Sequence, residues 1–564
     1  MNRYRQIVFR IGILLGVVLR FVALGSDPYR KLSWSAALVT DEGFYLHNAR
    51  NLILFGSTRQ DEFQNSLIMP TLHFMQVGFF SLFGVGLLQA RILTLLLSLL
   101  TLTIFYFALK RAFNGQTAIY GTLFLILDPV FTLYNRMALM DTPALLPMAL
   151  AFYGFAWAWK AGGGRRSTIC FAGCGAFLAL AYTVRGLSAF LIPIPFCVVY
   201  FAGKRNLFHC RAIKAMGLGV GVVITLYLLF WWLPHRQELA HVNGFYLRDQ
   251  LLPENLHHFA SILITSLFGD DRGVSAFMLR QSPILTLLGV LGVVYWVREG
   301  RKELWEDSTR ACMNFLVAWL VAGGVLFSAL AYSPSRYYIL FYPALAGVAG
   351  FTLVRLERAV KSLLEWRGGL LALGGWLGFH IPLAVRPLNV AGYTAVGVGV
   401  VLGAGTGYLL WKRGAKYSHR LTAVFALNLF LIVSALRLGD WARNLSYSRQ
   451  EAEQWIQANI PPNSVLIGDM ASGVAIDTRL PLVPVIAKLC NDDQPVEQYK
   501  GRPTFLVVLD GEYRHKYWKR HYPYLLSPHY RVAYFPRVVK YPIGIYRVDG
   551  VEPPVGFKAP SDEK

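Results

Sequence analysis

The chain alternates long apolar runs with short polar connections that are rich in arginine and lysine. Many of these runs contain about 18–22 residues and almost no charge, which is the length an α-helix needs to cross the hydrocarbon core of a bilayer. The pattern therefore predicts a polytopic α-helical membrane protein with about thirteen transmembrane helices. The predicted spans are 7–25, 89–109, 117–134, 142–159, 167–184, 186–203, 215–233, 281–297, 311–331, 337–354, 369–385, 390–411 and 421–437.

The apolar segment 71–85, "TLHFMQVGFFSLFGV", is shorter than the roughly 20 residues that a transmembrane helix needs. We interpret it as a re-entrant or interface-lying helix, because counting it as a span would invert every later connection. With this assignment, basic residues cluster in the connections on the side of the N-terminus and are sparse on the other side. The bias predicts a multi-pass protein of the plasma (inner) membrane with a cytoplasmic N-terminus and an extracytoplasmic C-terminus.

The first span contains Arg20, which interrupts its apolar sequence. A cleaved signal peptide is the alternative for this stretch, but "ALGSDP" makes a mediocre cleavage site. We therefore expect a retained anchor, with Arg20 extending toward the outer interface.

The longer polar segments predict two domains. Residues 1–440 form the transmembrane domain, with outer loops at 26–88 and 234–280, and residues 441–564 form a small extracytoplasmic α/β domain. In this second domain "EAEQWIQANI" is typical of an amphipathic helix that ends before two prolines. Five short apolar runs then predict β-strands: "SVLIGDM", "LPLVPVI", "TFLVVL", "YRVAYF" and "IGIYRV".

Composition supports the membrane class, since 55% of the 564 residues are hydrophobic, 15% are charged and the mean hydropathy is +0.42. The net charge of +23 lies in clusters between apolar runs, so it indicates membrane topology and not nucleic-acid binding. The sequence contains no phosphate-binding loop, dinucleotide fingerprint or zinc-ligand spacing. It predicts no metal site and no certain cofactor, although a divalent metal remains possible.

Charged side chains from sequence-distant segments fall at the same predicted membrane depth on the outer face. Such groups are costly near a bilayer unless they are paired, hydrated or functional, so their convergence predicts a site. They include Asp41 and Glu42 in the first outer loop, Asp141 and Arg185 at two later outer turns, and Arg336 with Tyr337 at the entry to the tenth span.

These residue types suit group transfer from a lipid-linked phosphate. A carboxylate can act as general base on an acceptor hydroxyl or amine. An arginine can hold a phosphate bidentately and neutralise it as it departs. The donor's lipid chain would stay in the membrane while its head group meets the protein.

The motifs "DEGFYLHNARNL", "LYNRMALMDTP" and "SRYYILFYPALA" resemble those of the GT-C glycosyltransferases, most closely the aminoarabinose transferase and protein O-mannosyltransferase group. The resemblance covers the whole predicted membrane part. It implies an inverting transfer of a sugar from a polyprenyl-phosphate donor to a glycan, lipid or protein acceptor.

By this resemblance Asp41 matches the first acidic motif, whose role is catalytic base or acceptor positioning, and Glu42 is its partner. Asp141 matches the acidic residue of the second outer loop, and Arg336 with Tyr337 matches a motif near the donor phosphate. Two basic donor-phosphate contacts of the aminoarabinose branch are missing. Gly43 and Phe44 follow the acidic pair here, and Met69 precedes the proline of the next helix. We therefore expect Arg185, Arg336 and Arg50 to bind the phosphate.

Simpler explanations exist for each residue. The acidic pair could complement a helix N-terminus, Asp141 could cap the following helix, and Arg185 could anchor to lipid head groups. A transporter or flippase for a lipid-linked saccharide would use the same arginines, and a noncatalytic scaffold would use the outer domain. The sequence shows no obvious repeat and few mid-span charges, which favours the enzyme over the transporter.

Overall fold

The computed structural model describes residues 3–202, 207–266, 273–299, 307–356, 415–499, 501–511, 516–552 and 554. Among these residues, helices dominate up to residue 459, and a five-stranded sheet follows. The α-helices are α1 Arg3–Phe21, α2 Ala37–Phe55, α3 Pro70–Phe83, α4 Leu87–Ala112, α5 Gly115–Leu127, α6 Pro129–Tyr134, α7 Asp141–Lys160, α8 Gly164–Val184, α9 Pro193–Phe201, α10 Leu207–Tyr227, α11 Arg236–Gly244, α12 Leu256–Ile264, α13 Val274–Gln281, α14 Pro283–Glu299, α15 Asp307–Ala329, α16 Tyr342–Leu356, α17 Ala415–Arg443, α18 Ser448–Asn459, α19 Ala471–Val474 and α20 Lys516–His521. The strands are β1 Val465–Ile467, β2 Leu482–Val483, β3 Thr504–Leu509, β4 Arg531–Val538 and β5 Tyr541–Arg547.

The described residues contain six helical segments long and apolar enough to cross a membrane, or seven if the bent pair of α13 and α14 counts as one span. Every predicted span within these residues coincides with one or more helices. The predicted spans 369–385 and 390–411 lie outside the described residues. The integral-membrane class is therefore confirmed, whereas the number of about thirteen helices is not.

The predicted span 117–134 is divided into α5 and α6 at Asp128. The carboxylate of Asp128 accepts a hydrogen bond of 3.0 Å from the backbone N–H of Phe131, and Pro129 takes the first position of α6. This is an ordinary helix cap with proline behind it. The segment 71–85 contains α3, which is too short to span a bilayer alone.

The expected position of Arg20 is wrong. Its side chain is fully buried between α1 and α5, where the guanidinium donates hydrogen bonds to the carbonyl oxygens of Gly16 (2.9 Å) and Ile126 (2.8 Å). A backbone kink at Asp128 leaves the last carbonyls of α5 in need of donors, and Arg20 supplies one. Arg20 therefore joins two helices instead of reaching the interface.

The sheet has the strand order β2-β1-β3-β5-β4, and each of the five segments predicted as strands contains one of them. Strand β1 runs parallel to β2 and β3, while β5 is antiparallel to β3 and β4. Alternate residues face opposite sides, as the period of a strand requires. Leu466, Val507 and Ile545 belong to the core shared with the membrane helices, whereas Ile467 and Val508 pack on the other side with α20.

Helix α2 packs directly against α19, the short helix after β1. A Cβ atom at Gly43 would lie 2.0 Å from the carbonyl oxygen of Ser472, and one at Gly473 would lie 2.8 Å from that of Val39. Only glycine permits this backbone approach. Helix α2 and the sheet segment are consequently in close backbone contact on both sides of Asp41, at Val39 and Gly43.

We expect Gly43→Ala to lower the thermal unfolding temperature of the detergent-solubilised protein. The added methyl group forces α2 and α19 apart, and overpacking of this kind costs about 1–3 kcal/mol. The matched control is Gly78→Ala in α3, where no atom lies within 4 Å of the added Cβ. Equal unfolding temperatures for the two variants would contradict the close contact.

Candidate active site

Two carboxylates and two guanidiniums from four elements meet in the helical part. Arg336 Nη1 lies 2.8 Å from Asp41 Oδ2, and its Nε lies 4.0 Å from Asp141 Oδ2. Arg185 Nε lies 2.9 Å from Asp141 Oδ1. The four charges therefore alternate in sign, in the order Asp41, Arg336, Asp141, Arg185. We call these residues the charge cluster.

Local structure explains how each member reaches the cluster. Asp41 lies in the second turn of α2, Asp141 is the first residue of α7, and Arg185 ends α8. Arg336 lies in the 3-10 turn Ser335–Phe341 that leads into α16. Hydrogen bonds hold this turn in place, since the Ser335 hydroxyl contacts Tyr134 Oη at 2.7 Å and donates to the carbonyl of Leu32 at 2.8 Å.

Tyrosines surround the cluster. The Tyr337 ring lies under both guanidiniums, with its centroid 4.5 Å from Cζ of Arg185 and 5.0 Å from Cζ of Arg336. These are cation–π distances, and the ring restricts where the two guanidiniums can move. Tyr45 lies one turn after Asp41 on α2, and the Tyr332 ring meets that of Tyr337 edge-on at a centroid distance of 6.4 Å.

The cluster contains buried polar atoms that lack a hydrogen-bond partner among the described residues. They are Oδ2 of Asp41, both carboxylate oxygens of Asp141, Nε and Nη2 of Arg185, and Nε of Arg336. Opposite charges compensate one another here, but unfilled hydrogen-bonding capacity in a buried site is unusual and calls for an explanation. A polar ligand that enters the cluster would supply the missing partners. Asp141 makes no capping hydrogen bond to α7, so capping does not account for it.

Burial raises the pKa of Asp41 to about 6, even though Arg336 acts in the opposite direction. Desolvation disfavours the charged form of a carboxyl group, and the neighbouring Asp141 adds to the effect. A carboxylate with a pKa near neutrality is a better general base than one with an ordinary value. Asp41 thus has the ionisation expected of a proton acceptor.

Glu42 lies away from the charge cluster, with both oxygens occupied. It accepts hydrogen bonds from Arg91 at 2.8 and 2.6 Å, from Arg449 at 3.2 Å and from the backbone N–H of Ala138 at 2.8 Å. Burial alone would raise the pKa of Glu42, but these donors, with Arg91 foremost, hold it below the ordinary value. The geometry gives Glu42 a structural position, not that of a second catalytic carboxylate.

Arg50 also has other partners. Its guanidinium donates to the carbonyl oxygens of Ile476 (2.9 Å), Thr478 (2.7 Å) and Leu480 (2.7 Å), and to the side chain of Asn51. These bonds hold the turn between α19 and β2 against α2. The structure therefore does not bring Arg50 into the charge cluster, and its guanidinium is already engaged with four acceptors.

Sequence reasoning did not single out three of the residues that shape the site. Arg91 was detectable, because it is a lone charge near the start of an apolar helix. Arg449 and Tyr246 carried no signal, since each lies in a polar segment far along the chain from Asp41. Among the described residues, no group of three or more His, Cys, Asp or Glu side chains is placed to hold a metal ion.

The described residues combine long apolar helices, a buried charge cluster and an adjoining sheet. The profile of the dolichyl-phosphate-mannose-protein mannosyltransferase family matches residues 69–231, a part of the chain. The comparison with curated proteins gave no match. The resemblance to GT-C enzymes stated from the sequence motifs is confirmed by this family match and by the fold.

Solved structures show the similarity over nearly the whole chain. ArnT from Cupriavidus metallidurans bound to undecaprenyl phosphate superposes with a TM-score of 0.59 at 20% identity, covering 96% of this chain and 98% of ArnT. Its apo state gives the same TM-score and identity. The oligosaccharyltransferase from Archaeoglobus fulgidus tethered to an acceptor peptide gives a TM-score of 0.51 at 11% identity, covering 97% of this chain and 74% of that one.

We expect Glu42→Gln to destabilise the protein by about 3–5 kcal/mol, because it removes the charged carboxylate that the buried Arg91 and Arg449 both contact. Thermal unfolding in detergent, followed by intrinsic fluorescence, measures the loss. Glu451→Gln on the exposed side of α18 makes the same chemical change without breaking a buried pair. If the two variants unfold at the same temperature, the structural role of Glu42 is wrong.

Proposed function

We propose that this protein is an integral-membrane glycosyltransferase that moves a sugar from a polyprenyl-phosphate carrier to an acceptor on the outer face of the membrane, with inversion at the anomeric carbon. The observation that carries the proposal is the charge cluster, in which a carboxylate suited to be a base lies beside two arginines with unfilled donors. The family match and the fold support the same reaction class.

The donor phosphate binds between Arg336 and Arg185. The Nε atom of Arg336 and the Nη2 atom of Arg185 have no hydrogen-bond partner among the described residues and are donors that phosphate oxygens need, whereas Nε of Arg185 is ion-paired with Asp141. Tyr337, lying under both guanidiniums, keeps them oriented toward one ligand. ArnT, the structure of similar fold, binds undecaprenyl phosphate, which is a carrier of this chemical class.

Asp41 acts as the base. The acceptor hydroxyl gives its proton to the Asp41 carboxylate while its oxygen forms a bond to the anomeric carbon. The bond from that carbon to the phosphate oxygen breaks on the opposite side, and polyprenyl phosphate leaves with the electron pair. Arg336 is ion-paired with Asp41 at rest and neutralises the departing phosphate as its charge grows.

The remaining predicted site residues take supporting roles. Asp141 binds Arg185 and approaches Arg336, so it positions the two phosphate-binding groups. Glu42 and Arg50 position α2 through their contacts with α4, α18 and the turn after α19. Both are positioning residues in this proposal.

The proposed topology places the N-terminus in the cytoplasm and residues 441–564 outside, because basic residues concentrate in the connections on the N-terminal side. The site then opens on the face where donors arrive preloaded on a lipid carrier. Residues 1–440 form the catalytic transmembrane domain in this scheme, and the sheet belongs to the extracytoplasmic segment.

We expect Asp41→Asn to lower kcat by about 10²–10⁴-fold without unfolding the protein, because it removes the base and keeps the size of the side chain. The assay is transfer of radiolabelled sugar from polyprenyl phosphates by protein in liposomes. Asp128→Asn is the control, since asparagine also caps a helix and Asp128 lies at the start of α6. Wild-type turnover by Asp41→Asn would refute the assignment. Tight donor binding by wild type without turnover would favour the flippase.

The pH dependence provides a second test of the same residue. Asp41 must be ionised to accept a proton. We therefore expect kcat/KM to reach its maximum above the pKa of Asp41 and to fall as the pH drops through about 6. Arg336→Gln removes a cation that lowers this pKa, so the acidic limb should move to higher pH. We would compare kcat/KM against pH for both proteins. An acidic limb that stays in place would show that another group titrates.

A further inference from the structure

A cavity of about 290 Å³ lies where the first outer loop, α11 and the sheet segment meet. We propose that it binds a sugar unit of the acceptor, which makes the acceptor of this enzyme a glycan. This inference rests on the proposed transferase function and adds the substrate class to it. The volume is near the lower end of the range for small-molecule sites and suits one or two sugar rings better than a lipid chain.

The walls have the chemistry of a saccharide site. Glu62, Gln64, Gln237 and Glu238 provide carboxylate and amide groups, which accept and donate hydrogen bonds to hydroxyls. Phe63 and Tyr246 provide aromatic surface for the apolar side of a sugar ring. The described lining residues include no lysine or arginine, so the cavity lacks the groups that would hold a phosphate or a carboxylate.

Glu238 has an oxygen available for a ligand. Its Oε1 accepts a hydrogen bond of 2.7 Å from Arg59, whereas its Oε2 is shielded from solvent and has no hydrogen-bond partner among the described residues. Leaving such an atom unpaired is unfavourable, and a sugar hydroxyl that donates to it would remove the penalty. Hydrogen bonds to charged acceptors are also the stronger ones.

Contacts connect the cavity wall to α2, the helix that carries the proposed base. Phe44 lies one helical turn after Asp41 on α2, and its ring centroid is 5.2 Å from that of Phe63 in the cavity wall. Asn65, another wall residue, donates a hydrogen bond of 3.5 Å from its side-chain amide to the carbonyl oxygen of Phe44. A glycan held in the cavity would therefore extend its next hydroxyl toward Asp41 from the side of the sheet segment.

The test measures transfer from a polyprenyl-phosphate sugar to a panel of methyl glycosides, with donor and glycoside concentrations varied separately. Glu238→Gln should raise KM for the glycoside about 10-fold or more, because it removes a charged hydrogen-bond acceptor, and should leave KM for the donor unchanged. Arg59→Gln is the matched control. It breaks the same exposed ion pair but keeps the Glu238 carboxylate, so both KM values should stay within about 2-fold of wild type.

Each other result overturns the inference in a distinct way. A higher KM for the donor in Glu238→Gln would assign the cavity to the transferred sugar. Unchanged KM values, or a wild type that glycosylates lipids or proteins but no glycoside, would refute the acceptor site while leaving the transferase intact. A wild-type protein that transfers sugar to no glycoside, lipid or protein would refute both the transferase function and the acceptor site.

Discussion

A carboxylate can be buried only where its charge is matched, and at Glu42 this requirement joins three parts of the molecule. Arg91 reaches it from α4, Arg449 from α18 in the polar segment after the last helix of the membrane part, and the Ala138 N–H from the turn before α7. Removing any one of these partners would leave a charge or a donor unpaired in the interior. This network helps to fix the position of α2, together with the contacts of Arg50 and Gly43.

Asp41 is next to Glu42 in sequence but faces a different set of residues, because adjacent residues on a helix point in different directions. One member of the acidic pair is therefore fixed and fully bonded, while the other faces the charge cluster with an elevated pKa. The cluster is neutral as a whole at rest, with two positive and two negative groups. A phosphate would compete with Asp41 and Asp141 for the arginines, which couples donor binding to release of the proposed base.

The polar C-terminal segment supports α2, the helix that carries Asp41. Besides Arg449, it supplies the carbonyl oxygens that hold Arg50, the close backbone contact at Gly43, and a wall of the cavity proposed to bind the acceptor. One face of its sheet belongs to the same hydrophobic core as the membrane helices. A displacement of this segment would therefore shift α2 and the position of Asp41.

Several features were determined by the sequence alone. Helix positions followed from runs of apolar residues, and strand positions from short apolar runs, because both are local properties of the chain. The sequence also indicated that Asp41, Asp141, Arg185, Arg336 and Tyr337 fall at the same membrane depth, and the structure brings these five together. Only the tertiary structure decided which charges pair. Glu42, Arg50 and Arg20 looked like site or interface residues, yet their partners lie on other elements, most of them distant in the chain, and no local pattern specifies such contacts.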